Sequence, residues 1–303
     1  MDKENYKRLI NIIIEEYLNT PEKERSLTKL SGKYGVTRKT ITKYLKSNGY
    51  NIINYQNMCS VDEHIFDTID TEEKAYWLGF LYADGCISKI GFRLELNIAA
   101  RDLDHMHKFK KFIKSSAKDR FEVKNKKFSV CRFSVRNKNI WEQLNAKGCI
   151  PCKTLVLRFP TKNIFENNNL IRHFIRGYFD GDGTMGLYNG KYGRMFNCSF
   201  AGTKEFLEQV EKELGIKGCI RNASCNAYNS KIYTLSYSCL KARKISRILY
   251  ENSSIYLSRK YNIYKMFCLA EEESSVLKSS KFCEPWDGNT EVCLEITKGS
   301  ERP

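Results

Sequence analysis

Nine residues at positions 77–85, WLGFLYADG, return in altered form at 175–183 as IRGYFDGDG. Asp84 and Asp182 lie 98 positions apart, and the same offset relates Gly79 to Gly177, Ala83 to Gly181 and Gly85 to Gly183. One copy could be chance, but two in one frame make an internal repeat. In each copy the two small residues stand four apart, one helical turn above each other, and leave a strip of bare backbone suited to close helix packing. The glycine after each aspartate suits a left-handed helix cap, so each helix is expected to end with its carboxylate at the C-terminal end. If the two helices pair along their small-residue strips, the carboxylates meet.

Such a meeting is costly by itself. A carboxylate at a helix C-terminus opposes the helix dipole by about 0.3–1 kcal/mol. Two carboxylates roughly 5 Å apart add about 3 kcal/mol of repulsion at an effective dielectric near 20. A hard divalent cation reverses that sign, because Mg²⁺ prefers carboxylate oxygen and stabilises the charged oxygens of phosphoryl transfer. The competing reading is two unrelated buried helices whose aspartates cap loops, and the duplication argues against it.

Both stretches resemble the LAGLIDADG motif of homing endonucleases, whose eighth position, the catalytic acid, falls here on Asp84 and Asp182. The sixth position departs from the consensus in the first copy, where it is Tyr82, and is Asp180 in the second. The resemblance spans residues 70 to 270, and two motifs in one chain mark the single-chain, pseudo-symmetric form of the family. It implies an α+β fold of two pseudo-symmetric αββαββα repeats forming a DNA-binding saddle. It also implies a divalent metal, Mg²⁺ or another such as Mn²⁺, held by Asp84 and Asp182 with Ala83 and Gly181. In the family, basic residues beyond the last hairpin of each repeat flank the metal centre and help activate water or stabilise the developing phosphorane charge. Lys153 and Lys260 hold that place here, with Arg259 a competitor for the second; the plainer reading is a lysine that clamps phosphate or merely lies on the surface.

The charge distribution agrees with a nucleic-acid partner. The chain carries 51 basic and 35 acidic residues, net +16, an excess that favours and steers phosphate binding. The excess is concentrated in the repeats, at +10 over residues 71–160 and +8 over 161–283, against +1 over 1–70 and −3 over 284–303. No apolar run approaches membrane-spanning length and no signal peptide opens the chain. Neither membrane nor secretion is therefore expected, but a cytoplasmic protein of bacterial or phage origin, or an organellar one. The 12 cysteines read as reduced thiols of such a compartment.

Each repeat reads as helix, hairpin, helix, hairpin, helix. Thr71-Glu72-Glu73 opens the first motif helix with a cap and two acids. In FRLELNIA (92–99), Phe92, Leu94, Leu96 and Ile98 alternate with Arg93, Glu95 and Asn97, the period of a half-buried strand. Residues 102–113 read as a helix, 121–135 as a second hairpin and 140–144 as a further helix. The second repeat has strands near 184–188, 194–201, 218–222 and 231–238, and a helix near 203–214. In the family the polar sheet face lies in the DNA major groove, where side chains read base edges. By parity that face carries Arg93, Glu95, Asn97, Arg132, Ser134, Asn197, Ser199, Thr234, Ser236 and Ser238, the alternative being a merely solvated face.

Other candidates are weaker. Cys149-x-x-Cys152 has neither a second such pair nor a close histidine pair to complete a zinc site. His105 and His107 form no site, and His64 and His173 are isolated, so no histidine base is expected. Residues 26–50 have helix-turn-helix spacing, with a turn at Tyr34-Gly35-Val36, Thr37 as cap, and six basic residues without an acid. The second helix would present Thr37, Arg38, Lys39, Thr42, Lys43 and Lys46 for recognition, against the plainer reading of a small bundle with a solvated basic face. The chain thus divides into a helix-turn-helix module at 1–50, a linker at 51–70, repeats at 71–160 and 161–283, and a polar, disordered tail at 284–303. The expected function is metal-dependent double-strand cleavage of a long asymmetric DNA site by a monomer, in an intron-encoded or free-standing element. An intein is disfavoured because the chain starts with Met and ends in ERP. The alternatives are an intron maturase, the one reading that brings in RNA, and a non-cleaving DNA-binding regulator, for which the acids would have been lost.

Overall fold

The computed structural model describes residues 3–21, 24–50, 60–124, 128–190, 193–223 and 232–269. The fold is α+β, with two four-stranded antiparallel sheets. The chain divides into two compact units, Met1–Asp182 and Gly183–Pro303. Among the described residues no helix is long and apolar enough to cross a membrane.

The first unit opens with three helices, α1 (Lys3–Asn19), α2 (Leu27–Tyr34) and α3 (Arg38–Ser47). They close over a core of Ile10, Ile13, Tyr17, Leu30, Val36, Ile41 and Leu45. Ser26 caps α2 by accepting from the Lys29 amide, Gly35 ends it at φ +67, and Thr37 caps α3 by accepting from the Thr40 amide. Each cap offsets orphaned backbone groups by roughly 1 kcal/mol. The expected linker falls partly outside the described residues (51–59). Its remainder is tied down, the Asp62 amide donating to the Ile113 carbonyl at 2.8 Å.

The motif helix α4 (Glu72–Ala83) is capped by Thr71, which accepts from the Lys74 amide, and is buried without interruption from Ala75 to Tyr82. A helix apolar all round must be surrounded. One neighbour is α7 (Asn169–Asp182), the second motif helix, which packs along α4 within the same unit. Between them lie β1 (Gly85–Ser88), β2 (Arg93–Ala99), α5 (Leu103–Phe112), β3 (Arg120–Lys124), β4 (Phe128–Arg136) and α6 (Lys138–Ala146), the sheet running β1-β2-β4-β3. Leu94, Leu96, Ile98, Cys131, Phe133 and Val135 form its buried face, packed on α5 and α6; the Phe109 and Phe133 rings meet edge to face at 5.3 Å. Phe92 departs from the expected alternation. Its φ of 46 places it in the turn before the strand, where its ring meets Trp141, because the chain must reverse at Gly91 before pairing can begin.

In the second unit β5 (Gly183–Gly190), β6 (Gly193–Gly202), α8 (Lys204–Leu214), β7 (Cys219–Asn222), β8 (Tyr233–Ser238) and α9 (Cys239–Tyr250) repeat the order, with sheet order β5-β6-β8-β7. Phe196, Cys198, Phe200, Leu235 and Tyr237 are buried under α8 and α9. A short α10 (Ser258–Tyr264) follows. The expected tail at 284–303 lies outside the described residues.

Candidate active site and nucleic-acid interface

The two motif glycines determine how closely α4 and α7 approach. A Cβ built on Gly79 would stand 1.9 Å from the Phe174 carbonyl oxygen, and one on Gly177 would stand 1.9 Å from that of Tyr76. The 98-residue offset carries each contact onto the other, since Tyr76 corresponds to Phe174, so the pair is pseudo-twofold. Backbone touches backbone there, and no side chain fits.

At the end of this contact a Cβ on Gly181 would lie 2.3 Å from Ala83 Cβ and 3.3 Å from Asp84 Oδ2. The Asp84 carboxylate therefore leans over the last turn of α7, the turn that carries Asp182. Asp84 is exposed and Asp182 half-buried. Both act on one further group. The Tyr178 hydroxyl is held well above its ordinary pKa, first by burial and then by the charges of Asp182 and Asp84, and so stays a neutral donor within electrostatic reach of both acids.

The left-handed caps expected after each aspartate are not formed. Asp84 caps α4 at φ −92, ψ −12, and neither Gly85 nor Gly183 has a positive φ. Each glycine instead begins a strand, β1 or β5. Gly85 is needed for space, because its Cβ would sit 2.6 Å from the Leu81 carbonyl oxygen.

Each expected lysine bonds the strand that leaves its motif helix. Lys153, half-buried in a short 3-10 turn, donates through Nζ to the Gly85 carbonyl. Lys260 in α10 is buried and donates to the Gly183 carbonyl at 2.5 Å. Each thus bonds the residue that follows a motif aspartate, and the counterpart of Lys153 is Lys260 rather than Arg259.

A buried polar clasp runs along α4 and α7. Arg176, with no exposed surface, donates to Glu72 Oε1 at 2.7 Å. Its other terminal nitrogen lies 2.7 Å from His173 Nδ1, which must accept because guanidinium only donates. His173 is accordingly not isolated; burial first and the Arg176 charge second lower its pKa to about 4. Four residues on, the Tyr76 hydroxyl donates to Asp180 at 2.7 Å and stands 3.1 Å from His105 Nε2. The twofold mate of the Tyr76–Asp180 contact is the pair Phe174 and Tyr82, whose rings meet edge to face at 5.0 Å. One flank of the helix pair is polar and the other aromatic. A signal existed in the sequence, since Glu72/Tyr76 and Arg176/Asp180 are i,i+4 polar pairs with a common offset of 104.

All ten sheet positions singled out by parity lie opposite the apolar faces, none of them buried. Register places Glu95 beside Ser134 and Asn97 beside Arg132 in the first sheet. In the second it places Asn197 beside Ser238, Ser199 beside Ser236 and Ala201 beside Thr234. The first face is charged and internally paired, while on the second the Thr184 and Ser199 hydroxyls bond at 2.7 Å. On α3, Thr37, Arg38, Lys39, Lys43 and Lys46 are exposed and Thr42 half-buried.

Cys149 is buried and Cys152 exposed, and burial pushes the Cys149 thiol up to about 11. Among the described residues no group of three or more His, Cys, Asp or Glu is placed to hold a metal. The acid pair is instead an oxygen donor set at two helix C-termini, where the last main-chain carbonyls lack helical partners; hard divalent cations prefer such donors.

Residues 169–258 match a protein-family model described as a LAGLIDADG-like domain. Among solved structures the chain is similar to the I-LtrWI LAGLIDADG homing endonuclease bound to target DNA, at 14% identity over 69% of this chain and 94% of that one, TM-score 0.45. It is also similar to the LAGLIDADG meganuclease I-AabMI bound to uncleaved DNA, at 10% identity over 66% and 91%, TM-score 0.43. A third is the LAGLIDADG homing endonuclease I-GzeII in complex with its DNA target, at 13% identity over 74% and 96%, TM-score 0.43. No curated protein sequence matches. The segment from the start of α7 to the start of α10 is thus LAGLIDADG-like, the family that the paired motifs resemble.

Proposed function

We propose that this protein is a site-specific DNA endonuclease of the homing type, acting as a monomer on one long asymmetric duplex site. The observation that carries this reading is the glycine-to-backbone contact of α4 and α7, which brings the Asp84 carboxylate over the turn bearing Asp182. Asp84 and Asp182, with the main-chain oxygens of Ala83 and Gly181, are the residues that would hold a divalent cation. Such a cation neutralises charge on the attacking and departing oxygens of a phosphodiester and lowers the pKa of bound water. The protein's own part is to keep two negative charges together against their repulsion, at the place where a phosphate must approach. Lys153 and Lys260 hold positive charge at the first residue of each exit strand, where they favour the more anionic transition state. The polar faces of β2, β4, β6 and β8 read bases, and the basic face of α3 adds contacts in a flanking groove.

The decisive test incubates the full chain with duplex DNA spanning the uninterrupted insertion point of its own gene, with and without Mg²⁺, beside a matching RNA. Cleavage of both DNA strands only with the cation supports the reading. Binding of the RNA alone, with no cut in DNA, refutes it.

A further inference from the structure

The polar face of the first sheet is closed on itself. Glu95, near the middle of β2, has a side chain only 13% exposed; it accepts from Arg132 at 2.9 Å and forms an ion pair with Arg93 at 3.2 Å. The other terminal nitrogen of Arg132 donates to Glu122, also at 2.9 Å. Register sets Cys86 and Ser134 on either side of Glu95, so neither flanking strand brings a further cation directly beside it. The equivalent positions of the second sheet, taken from the pairings of Gly85 and Gly183, are Asn197 for Arg93, Ser199 for Glu95 and Thr234 for Arg132. The arrangement therefore belongs to one half alone.

Two arginines bound to a carboxylate behave differently toward the two parts of a duplex. A backbone phosphate can draw off an arginine, but it leaves Glu95 facing an anion. A guanine offers arginine two acceptors, O6 and N7, and a cytosine offers the carboxylate a donor at N4. An A·T pair also carries a donor, adenine N6, and single acceptors at N7 and O4, but only a G·C pair couples a donor for the carboxylate with the paired O6 and N7 acceptors that fit an arginine fork. A buried or half-buried charge deprived of its partner is expensive, so the exchange is most favourable at G·C, weaker at A·T and unfavourable at a backbone phosphate.

We propose that Glu95 is a specificity-determining residue of the first half: it withholds Arg93 and Arg132 from phosphates and releases them where guanine and cytosine replace both bonds. The half-site read by this sheet then carries G·C at that position. The inference rests on the DNA-binding reading above.

The test uses the full chain and a random-sequence duplex pool, comparing the natural protein with Glu95→Gln and Glu122→Gln under conditions without cleavage. Glu95→Gln keeps the shape and one acceptor while removing the charge. It is expected to bind the unselected pool about three- to tenfold tighter, and the plot of log K against log salt should steepen by about one. Among selected sites, the preference for G·C in one half should fall by about tenfold. Glu122→Gln, which loosens only one nitrogen of Arg132, should change all three in the same direction by less. A folded Glu95→Gln protein that selects the same G·C positions with an unchanged salt slope overturns the proposal while leaving DNA binding intact. Failure of the natural protein to bind any duplex overturns the underlying reading as well.

Discussion

The two sheets share strand order and pairing but present different chemistry. On the first, Arg93, Glu95, Arg132 and Glu122 form a closed set of ion pairs; on the second, Asn197, Ser199, Thr234 and Ser236 offer amides and hydroxyls. The motif helices, by contrast, are nearly interchangeable at their contact, where Gly79 and Gly177 meet equivalent backbone atoms at equal distances. Geometry is alike at the glycine contact of the two motif helices and diverges on the polar sheet faces. Duplication thus separates two demands that one symmetric surface could not meet together.

The strongest way to break this contrast is to ask whether the chemistry is as even as the geometry. Asp84→Asn and Asp182→Asn should each lower double-strand cleavage on the order of 10³-fold, while duplex affinity stays within a few-fold. Single-turnover assays on supercoiled plasmid would show it, and native-rate cutting of both strands by either variant would sink the two-acid site.

A smaller effect tests evenness in packing. Gly79→Ala and Gly177→Ala should each destabilise the fold by about 3 kcal/mol, at the upper end of overpacking costs, because the new methyl would meet backbone that cannot swing away. Urea midpoints that differ greatly between the two would show that the helix pair is not symmetric at its contact.

Next comes the polar flank. His173 is neutral in the fold, with its pKa lowered to about 4, against an ordinary unfolded value near 6.5. Its contribution is fully present above pH 6.5 and is lost as the pH falls from 6.5 toward 4, because only the unfolded chain takes up the proton in that window. By pH 4.5, two pH units below the unfolded value, the loss should reach about 2–3 kcal/mol at 1.36 kcal/mol per unit. His173→Gln should flatten that part of the profile, measured by urea unfolding between pH 7.5 and 4.5.

Removing residues 1–58 asks whether the contrast between sheets suffices for recognition. Affinity should fall about tenfold and the salt slope should shrink, with a shorter protected segment in a footprint. An unchanged footprint would exclude the three-helix module from DNA.

Much of this was legible in the sequence because it is periodic or local. Alternation through Leu94, Leu96 and Ile98 identified the strand and its faces; Thr37, Thr71 and Gly35 marked helix ends by their own chemistry. The repeat itself led to the helix pair. What escaped was set by partners far along the chain. Glycine commonly serves as a left-handed cap, but Gly85 is required by the neighbouring Leu81 carbonyl. Phe92 fitted the strand period, but the turn at Gly91 claimed it. His173 appeared isolated because its contacts with Arg176 and Glu72 arise only when α7 lies on α4. Side-chain pairing such as Arg93–Glu95–Arg132 has no signature beyond parity, which names a face without saying what is bound there.

The clasp between α4 and α7 has one more consequence, for heredity. If the second half were duplicated to replace the first, keeping the same helix geometry, Arg176 would meet Leu170 and Asp180 would meet Phe174, twice over. Leaving the buried Arg176 guanidinium without its Glu72 partner costs about 3–5 kcal/mol for each broken ion pair, so such a chain should melt far below the natural one or not fold. The tyrosine and glutamate of one copy and the aspartate and arginine of the other are now hostages to each other. Neither half could be overwritten by its twin without unfolding both, so the two repeats are held to their differences by the very contact that makes them alike.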